Sequence, residues 1–334
     1  DSRFDLSDSA YVNEQNRFGW VVEIDPSKPN AKPVKRTALG RFKNEGATVT
    51  VGEGGRAVVY MGDDQRFDYI YKFVSARNWQ SMSFEGNSPL DEGTLYVARF
   101  DENGTGEWLA LDYDSNTDLQ ARFANQAEVL TYARISADIV GATPMDRPEW
   151  ISVGPNGDVF CTLTNNSRRT VADAANPLAP NADGHIIRWH DSDNHTGTTF
   201  DWDIFLISED THGTESSVAD PDGIWADPYG RLFIQTDGGQ KDGLNNQMLV
   251  ANTMVKPLGE EGEVELKRLF TGVNSDEITG LTVTPDQKTM FINTQHPGNG
   301  NPELTNFPAE TDGVTIPRDC TFVITRKNGG VVGS

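Results

Sequence analysis

Acidic residues stand just ahead of a short apolar strand at four places in this 334-residue chain: Glu45, the pair Asp146 and Glu149, the pair Asp220 and Asp222, and Glu277. Carboxylates brought together cannot all stay ionised without cations, because like charges raise one another's pKa. An oxygen-rich cage of that kind suits calcium, and clustered carboxylates also suit trivalent iron or manganese. Each acid taken singly has an ordinary alternative, since Asp-Pro and Asp-Gly are common turn dipeptides. Recurrence at matching positions in four segments favours the shared cage. Arg147 lies between Asp146 and Glu149. It could be neutralised there as an ion pair. Beside a cluster of cations, its planar fork would instead suit a phosphoryl oxygen.

The elements that would position these acids are repeated. Glu45–Asp63, Glu149–Thr162, Asp222–Asp237 and Glu277–Asn293 share one plan: an acid, a short strand, a tight turn with Gly, Asp or Pro, then an apolar strand with polar residues at its end. The turns Gly154-Pro155-Asn156-Gly157 and Asp227-Pro228-Tyr229-Gly230 align without a gap. Proline presets the first turn angle and glycine accepts positive φ, so each unit reads as a β-hairpin. Further strands are expected at 19–24, 69–73, 93–98 and 185–189, and one helix around Thr117 to Ala133. The polar stretches 165–183 and 295–315 read as long loops, functional or mobile. Dense short strands with a recurring hairpin predict an all-β chain, a β-propeller. Equivalent positions on its blades surround one axis, which would bring the acids to one mouth of the channel.

Composition agrees with many strands and turns: 32 Gly, 17 Pro and 36% hydrophobic residues. The formal charge of −22 opposes nucleic acid and anionic membrane surfaces as partners. A solvated acidic coat accounts for most of such a charge, and the sharper reading is that a minority of the carboxylates converge on hard cations. No apolar run approaches the length of a membrane-spanning helix, so membrane insertion is not expected. The opening string Asp1-Ser2-Arg3-Phe4-Asp5 shows no charged-then-apolar signal pattern, so any export signal is expected to have been removed or to lie outside this sequence. Cys161, in an apolar run, reads as a small buried thiol; a disulfide with Cys320 is the alternative.

Longer strings carry a family resemblance. Arg17–Pro26, Lys35–Phe42, Val59–Asp64, Gly141–Trp150, Gly184–Trp189 and Gln295–Gly298 resemble the PhoX-type alkaline phosphatases. The resemblance runs from about residue 13 to the C-terminus and implies a six-bladed propeller, exported to the periplasm or secreted. It implies calcium and iron as cofactors, with phosphate monoesters and some diesters as substrates. Carried over by motif, it makes Glu45, Asp138 and Glu149 metal ligands and Arg147 a phosphate ligand, with Asp222 and Glu277 as further metal ligands. Asn44 stands where the family pattern has histidine. Family members also extend further at the N-terminus, where they carry early blades and a metal-ligating cysteine that neither Cys161 nor Cys320 replaces. Residues 1–334 are therefore expected to be a single propeller domain or the C-terminal part of one, with a missing N-terminal segment as a partner.

The expected chemistry is metal-assisted phosphoryl transfer to water. A metal-bound oxide or hydroxide attacks in line and Arg147 stabilises charge on the equatorial oxygens. His296 is a candidate substrate contact and acid for the leaving group, or a turn cap. No nucleophile elbow, P-loop or dinucleotide motif occurs. The rival readings are a calcium-dependent propeller lactonase or phosphotriesterase, and a non-catalytic propeller stabilised by calcium. Neither needs an arginine between two ligating acids.

Overall fold

The computed structural model describes residues 7–241, 243–260 and 262–334, so the string Asp1–Asp5 lies outside the described residues. The chain divides into two compact units, Asp1–Pro148 with Asp191–Asp201, and Glu149–His190 with Trp202–Ser334. No helix among the described residues is long and apolar enough to cross a membrane.

The first unit begins with a two-stranded ribbon, β1 (Val22–Glu23) and β2 (Val34–Lys35). Only two residues of the strand expected at 19–24 pair, because Gly19 sits at φ +82° and turns the chain. A five-stranded antiparallel run follows: β3 (Asn44–Val51), β4 (Arg56–Asp63), β5 (Ile70–Asn78), β6 (Gly93–Phe100) and β7 (Thr105–Ala110). Residues Thr199–Asp201 add to β7. The strands at 69–73 and 93–98 are thus present and longer than their apolar runs. A helix absent from the sequence reading, α1 (Trp79–Phe84), forms where the Asn78 side chain accepts from the backbone N–H groups of Gln80 and Ser81.

The single helix expected over 117–133 is instead three: α2 (Thr117–Arg122), α3 (Gln126–Thr131) and α4 (Ala133–Val140). Phe123 turns extended, and Asn125 caps a fresh start by accepting from Glu128 N–H. The Glu128 carboxylate answers by accepting from Ala124 N–H at 2.8 Å. The break keeps Phe123 buried with Leu119, Val129, Ala133 and Ala137, against Leu39, Tyr71 and Leu95 of the unit's core. Burying such side chains contributes roughly 1.5–3 kcal/mol each, more than an unbroken helix would add. Gly141, left-handed at φ +80°, ends α4.

The second unit holds β8 (Pro148–Val153), β9 (Asp158–Leu163), β10 (His185–Asp191) and β11 (Thr199–Ile207), in the order β11-β10-β9-β8. A four-stranded antiparallel sheet follows, β12 (Pro221–Ala226), β13 (Arg231–Thr236), β14 (Gln247–Asn252) and β15 (Leu266–Thr271). The last sheet is β16 (Glu277–Val283), β17 (Thr289–Gln295) and β18 (Cys320–Thr325). All four expected hairpins form, as β3–β4, β8–β9, β12–β13 and β16–β17. Three share one turn. Gly52 N–H donates to Arg56 C=O, Gly154 to Asp158 and Asp227 to Arg231, and in each the residue three along donates back to the first. The fourth spans one residue more, Thr284 to Thr289. Stretch 165–183 is an ordered loop tied by the Asn166–Asn181 bridge. Cys161 is buried and both cysteines are free, so the disulfide alternative does not hold; burial pushes the Cys161 thiol well up.

Candidate functional site

In the first unit, Glu45 opens β3 and is followed by Gly46 at φ +77°, with a register shift against β4 between Glu45 and Thr48. Such a bulge re-aims side chains at the end of a strand. Asp64 follows directly on β4, and carboxylate oxygens of Glu45 and Asp64 lie within 4.8 Å of each other. The Arg147 guanidinium straddles Asp64, Nε donating to Oδ1 at 2.7 Å and Nη2 to Oδ2 at 3.0 Å. Its backbone is left-handed at φ +59°, a conformation costing a non-glycine residue about 1–3 kcal/mol. The fork of Arg147 therefore grips an acid that sequence reasoning had not singled out. Asp64 stands in the string Val59–Asp64, but nothing local marked which distant arginine it would hold. Asp146 is fully buried, on a residue that bridges to Arg66. Asn44 uses its amide to donate to the Gly19 and Phe42 carbonyls, both at 3.2 Å.

Asp138 lies near the end of α4, where the Tyr69 hydroxyl donates to it. Asp63, fully buried, is held by Arg134 Nε at 2.7 Å and by the Lys43 N–H at 3.2 Å. Burial pushes Asp68 up to about 7, with Asp63 and Asp138 adding to the rise and Arg134 opposing it. The Tyr69 phenol is pushed up by burial and by its bond to Asp138. The end of β4 and the loop to β5 thus set Asp63 and Asp68 against the Arg134 guanidinium, with Asp138 held beside them by Tyr69.

In the second unit, Glu149 is buried in β8. Asp220 sits at φ +50° and accepts from Asn165 Nδ2 at 2.7 Å. Asp222 lies in a bulge of β12, and its carbonyl accepts from the Thr162 hydroxyl at 2.6 Å. Glu277, buried at the start of β16, accepts from the Gln295 amide and lies 3.4 Å from His296 Nε2. Burial raises the Glu277 pKa, and Asp237 raises it further. Ligand atoms of Asp237, Glu277 and His296 all lie within 4.8 Å of one another. His296 begins the turn Pro297–Gly300 but makes no side-chain cap bond, so the turn-cap alternative is not realised. Asp237 was legible only as the polar end of the third hairpin. Of the expected ligands, Glu45 and Asp138 belong to the first unit, and Glu149, Asp222 and Glu277 to the second.

The carboxylates of Glu45 and Asp64 beside the Arg147 fork provide hard oxygen donors and a bidentate grip for a tetrahedral oxyanion. The comparisons agree in kind. A search of curated proteins returns no match. Among solved structures, the chain is similar to Pseudomonas fluorescens PhoX in complex with vanadate, a transition state analogue, with 42% identity and a TM-score of 0.87. The similarity covers 100% of this chain and 61% of that one, so the chain spans under two thirds of its relative's length. That relative is a β-propeller, which is the fold class expected from the hairpin repeats. The family description Alkaline phosphatase PhoX matches residues 1–298. On that extent of agreement, the chain belongs to the PhoX alkaline phosphatase family.

Proposed function

We propose that this chain serves the hydrolysis of phosphate monoesters with the help of bound cations, calcium and iron, in the periplasm or outside the cell. The observation that supports this most is the Arg147 fork, held on Asp64 with Glu45 within 4.8 Å of that carboxylate. The donor set fits hard cations: the expected ligands Glu45, Asp138, Glu149, Asp222 and Glu277 are carboxylates, and among them Glu277 has a pKa raised by burial. Those five would hold the cations. Bound there, the cations would polarise phosphoryl oxygens and lower the pKa of an attacking water.

The chain's own side chains do the rest. Arg147, fixed by two hydrogen bonds to Asp64, orients a phosphoryl group and offsets charge on its equatorial oxygens. His296, 3.4 Å from Glu277, would supply the proton for a leaving oxygen. The test is elemental analysis of the purified protein beside hydrolysis of a chromogenic phosphomonoester. Calcium and iron should copurify, and activity should vanish on chelation and return with those metals. Hydrolysis that survives complete chelation, or none in the metal-loaded protein, would overturn the reading.

A further inference from the structure

Gln235, on β13 within the sheet β12–β15, is fully buried, yet neither its Oε1 nor its Nε2 has a hydrogen-bond partner. Leaving a buried polar group unpaired is costly, and an apolar side chain in a strand of Leu232, Phe233 and Ile234 would avoid that cost. The strand opposite explains where the amide is aimed. Pro221 pairs with Thr236 and Ile224 with Ile234, so Asp222 and Gly223 together face Gln235 across a β-bulge. The amide fills the space that a side chain at 223 would need, since a Cβ there would lie 2.3 Å from Gln235 Oε1. Thr162 also holds the bulge, its hydroxyl donating to the Asp222 carbonyl.

We propose that Gln235 is a cation ligand, its amide carbonyl completing with Asp222 an oxygen site for a divalent cation of the calcium type. The inference rests on the reading of Asp222 as a metal ligand and adds to it a residue, and the choice of calcium over iron at that position. An amide carbonyl is a neutral, hard oxygen donor of the kind calcium accepts alongside carboxylates. The bulge and Gly223 supply the close approach that an unbroken β12 with a side chain at 223 would block.

The test uses calcium alone as probe, titrated calorimetrically into chelator-treated protein, with the melting temperature followed with and without calcium. Gln235→Met should leave the chelated protein as stable as before or more so, weaken calcium binding about tenfold and shrink the calcium-induced rise in Tm. Gln235→Glu should tighten calcium binding, and it keeps the test open if the methionine variant fails to fold. Asp222→Asn should lose the same calcium. If Asp222→Asn loses calcium while Gln235→Met binds it like the parent, the role of Gln235 is wrong and the reading of Asp222 stands. If Asp222→Asn binds calcium unchanged, that reading falls and this inference with it. A marked loss of stability in chelated Gln235→Met, together with Gln235→Glu binding calcium no more tightly than the parent, would show that the amide has a structural partner and would also overturn the inference.

Discussion

Arg147 is where sequence and structure agree most usefully and differ most instructively. Its neighbours Asp146 and Glu149 suggested a fork among acids, and a fork is present, but the carboxylate it grips, Asp64, is 83 residues away in the chain. A pairing at that separation leaves no trace in local spacing. The left-handed backbone at φ +59° is a second sign of constraint that no residue pattern announces. Two parallel N–H···O bonds need the planar guanidinium, which a lysine ammonium cannot reproduce. Arg147→Lys should therefore retain a charge yet lose alignment, and we expect kcat to fall about 10²–10³-fold with KM changed far less. The melting temperature should stay near that of the parent, because the pair is partly solvated. Steady-state kinetics on a phosphomonoester beside a thermal melt checks this; a kcat equal to the parent's would remove Arg147 from the chemistry.

Hairpins were legible because turn chemistry is local: three of the four close with the same pair of backbone bonds, as the gapless alignment of Gly154–Gly157 with Asp227–Gly230 implies. The interruptions of helix and sheet were not, because a buried Phe123 and a capping Asn125 act through partners elsewhere. Another long-range device fixes the segment Asp191–Asp201. Lys72 Nζ on β5 donates to Asp191 at 2.8 Å and to the carbonyls of His195 and Gly197 at 3.2 and 2.8 Å. The hydroxyl of Tyr60 and the indole of Trp108 both donate to the same carboxylate. Each of these side chains is buried. Asp191→Asn leaves the ammonium buried without its counter-charge and should cost about 3–5 kcal/mol, read as a lower denaturation midpoint in urea. The loop from β4 to β5 carries the opposite case. Asp68 has a folded pKa of about 7 against an ordinary aspartate's 3.8, so between those pH values the folded state holds more protons than the unfolded one. Stability from this group is therefore lost as pH rises through that window. In chelator-treated protein, Asp68→Asn should raise Tm at pH 8, with the gain fading towards pH 4. A gain that is the same at both pH values would contradict the shift.

At the scale of the whole chain, the charge of −22 allowed two readings, a solvated coat or a set of cation sites. The structure separates the acids by the direction in which their surroundings move them. Exposed Asp25, Asp286 and Asp312 are held below the usual carboxylate range by the hydroxyls of Ser27, Thr284 and Thr315, as turn-capping acids should be. Buried Asp63, Asp276 and Glu277 and half-buried Asp68 move the other way, with desolvation as the leading cause for each. Position in a repeat identified Glu277, whereas Asp63 and Asp68 required the fold, because burial is a property of what surrounds a residue. The two groups also respond differently to salt. Charge repulsion among exposed acids is screened within a Debye length, about 10 Å at 0.1 M and 3 Å at 1 M, and buried groups are screened far less. Calcium bound among the clustered acids would neutralise them directly and leave only the coat for salt to act upon. We therefore expect chelated protein to gain Tm steadily between 0.05 and 0.5 M NaCl, by about the shift that 1 kcal/mol or more of relieved self-repulsion produces. Calcium at millimolar level should add a larger increment that 0.5 M NaCl does not replace. Melting curves across a salt series, with and without calcium, measure both terms. If sodium chloride alone restored the full calcium increment, the buried carboxylates would be responding to general screening, and no set of cation sites would be required to explain them.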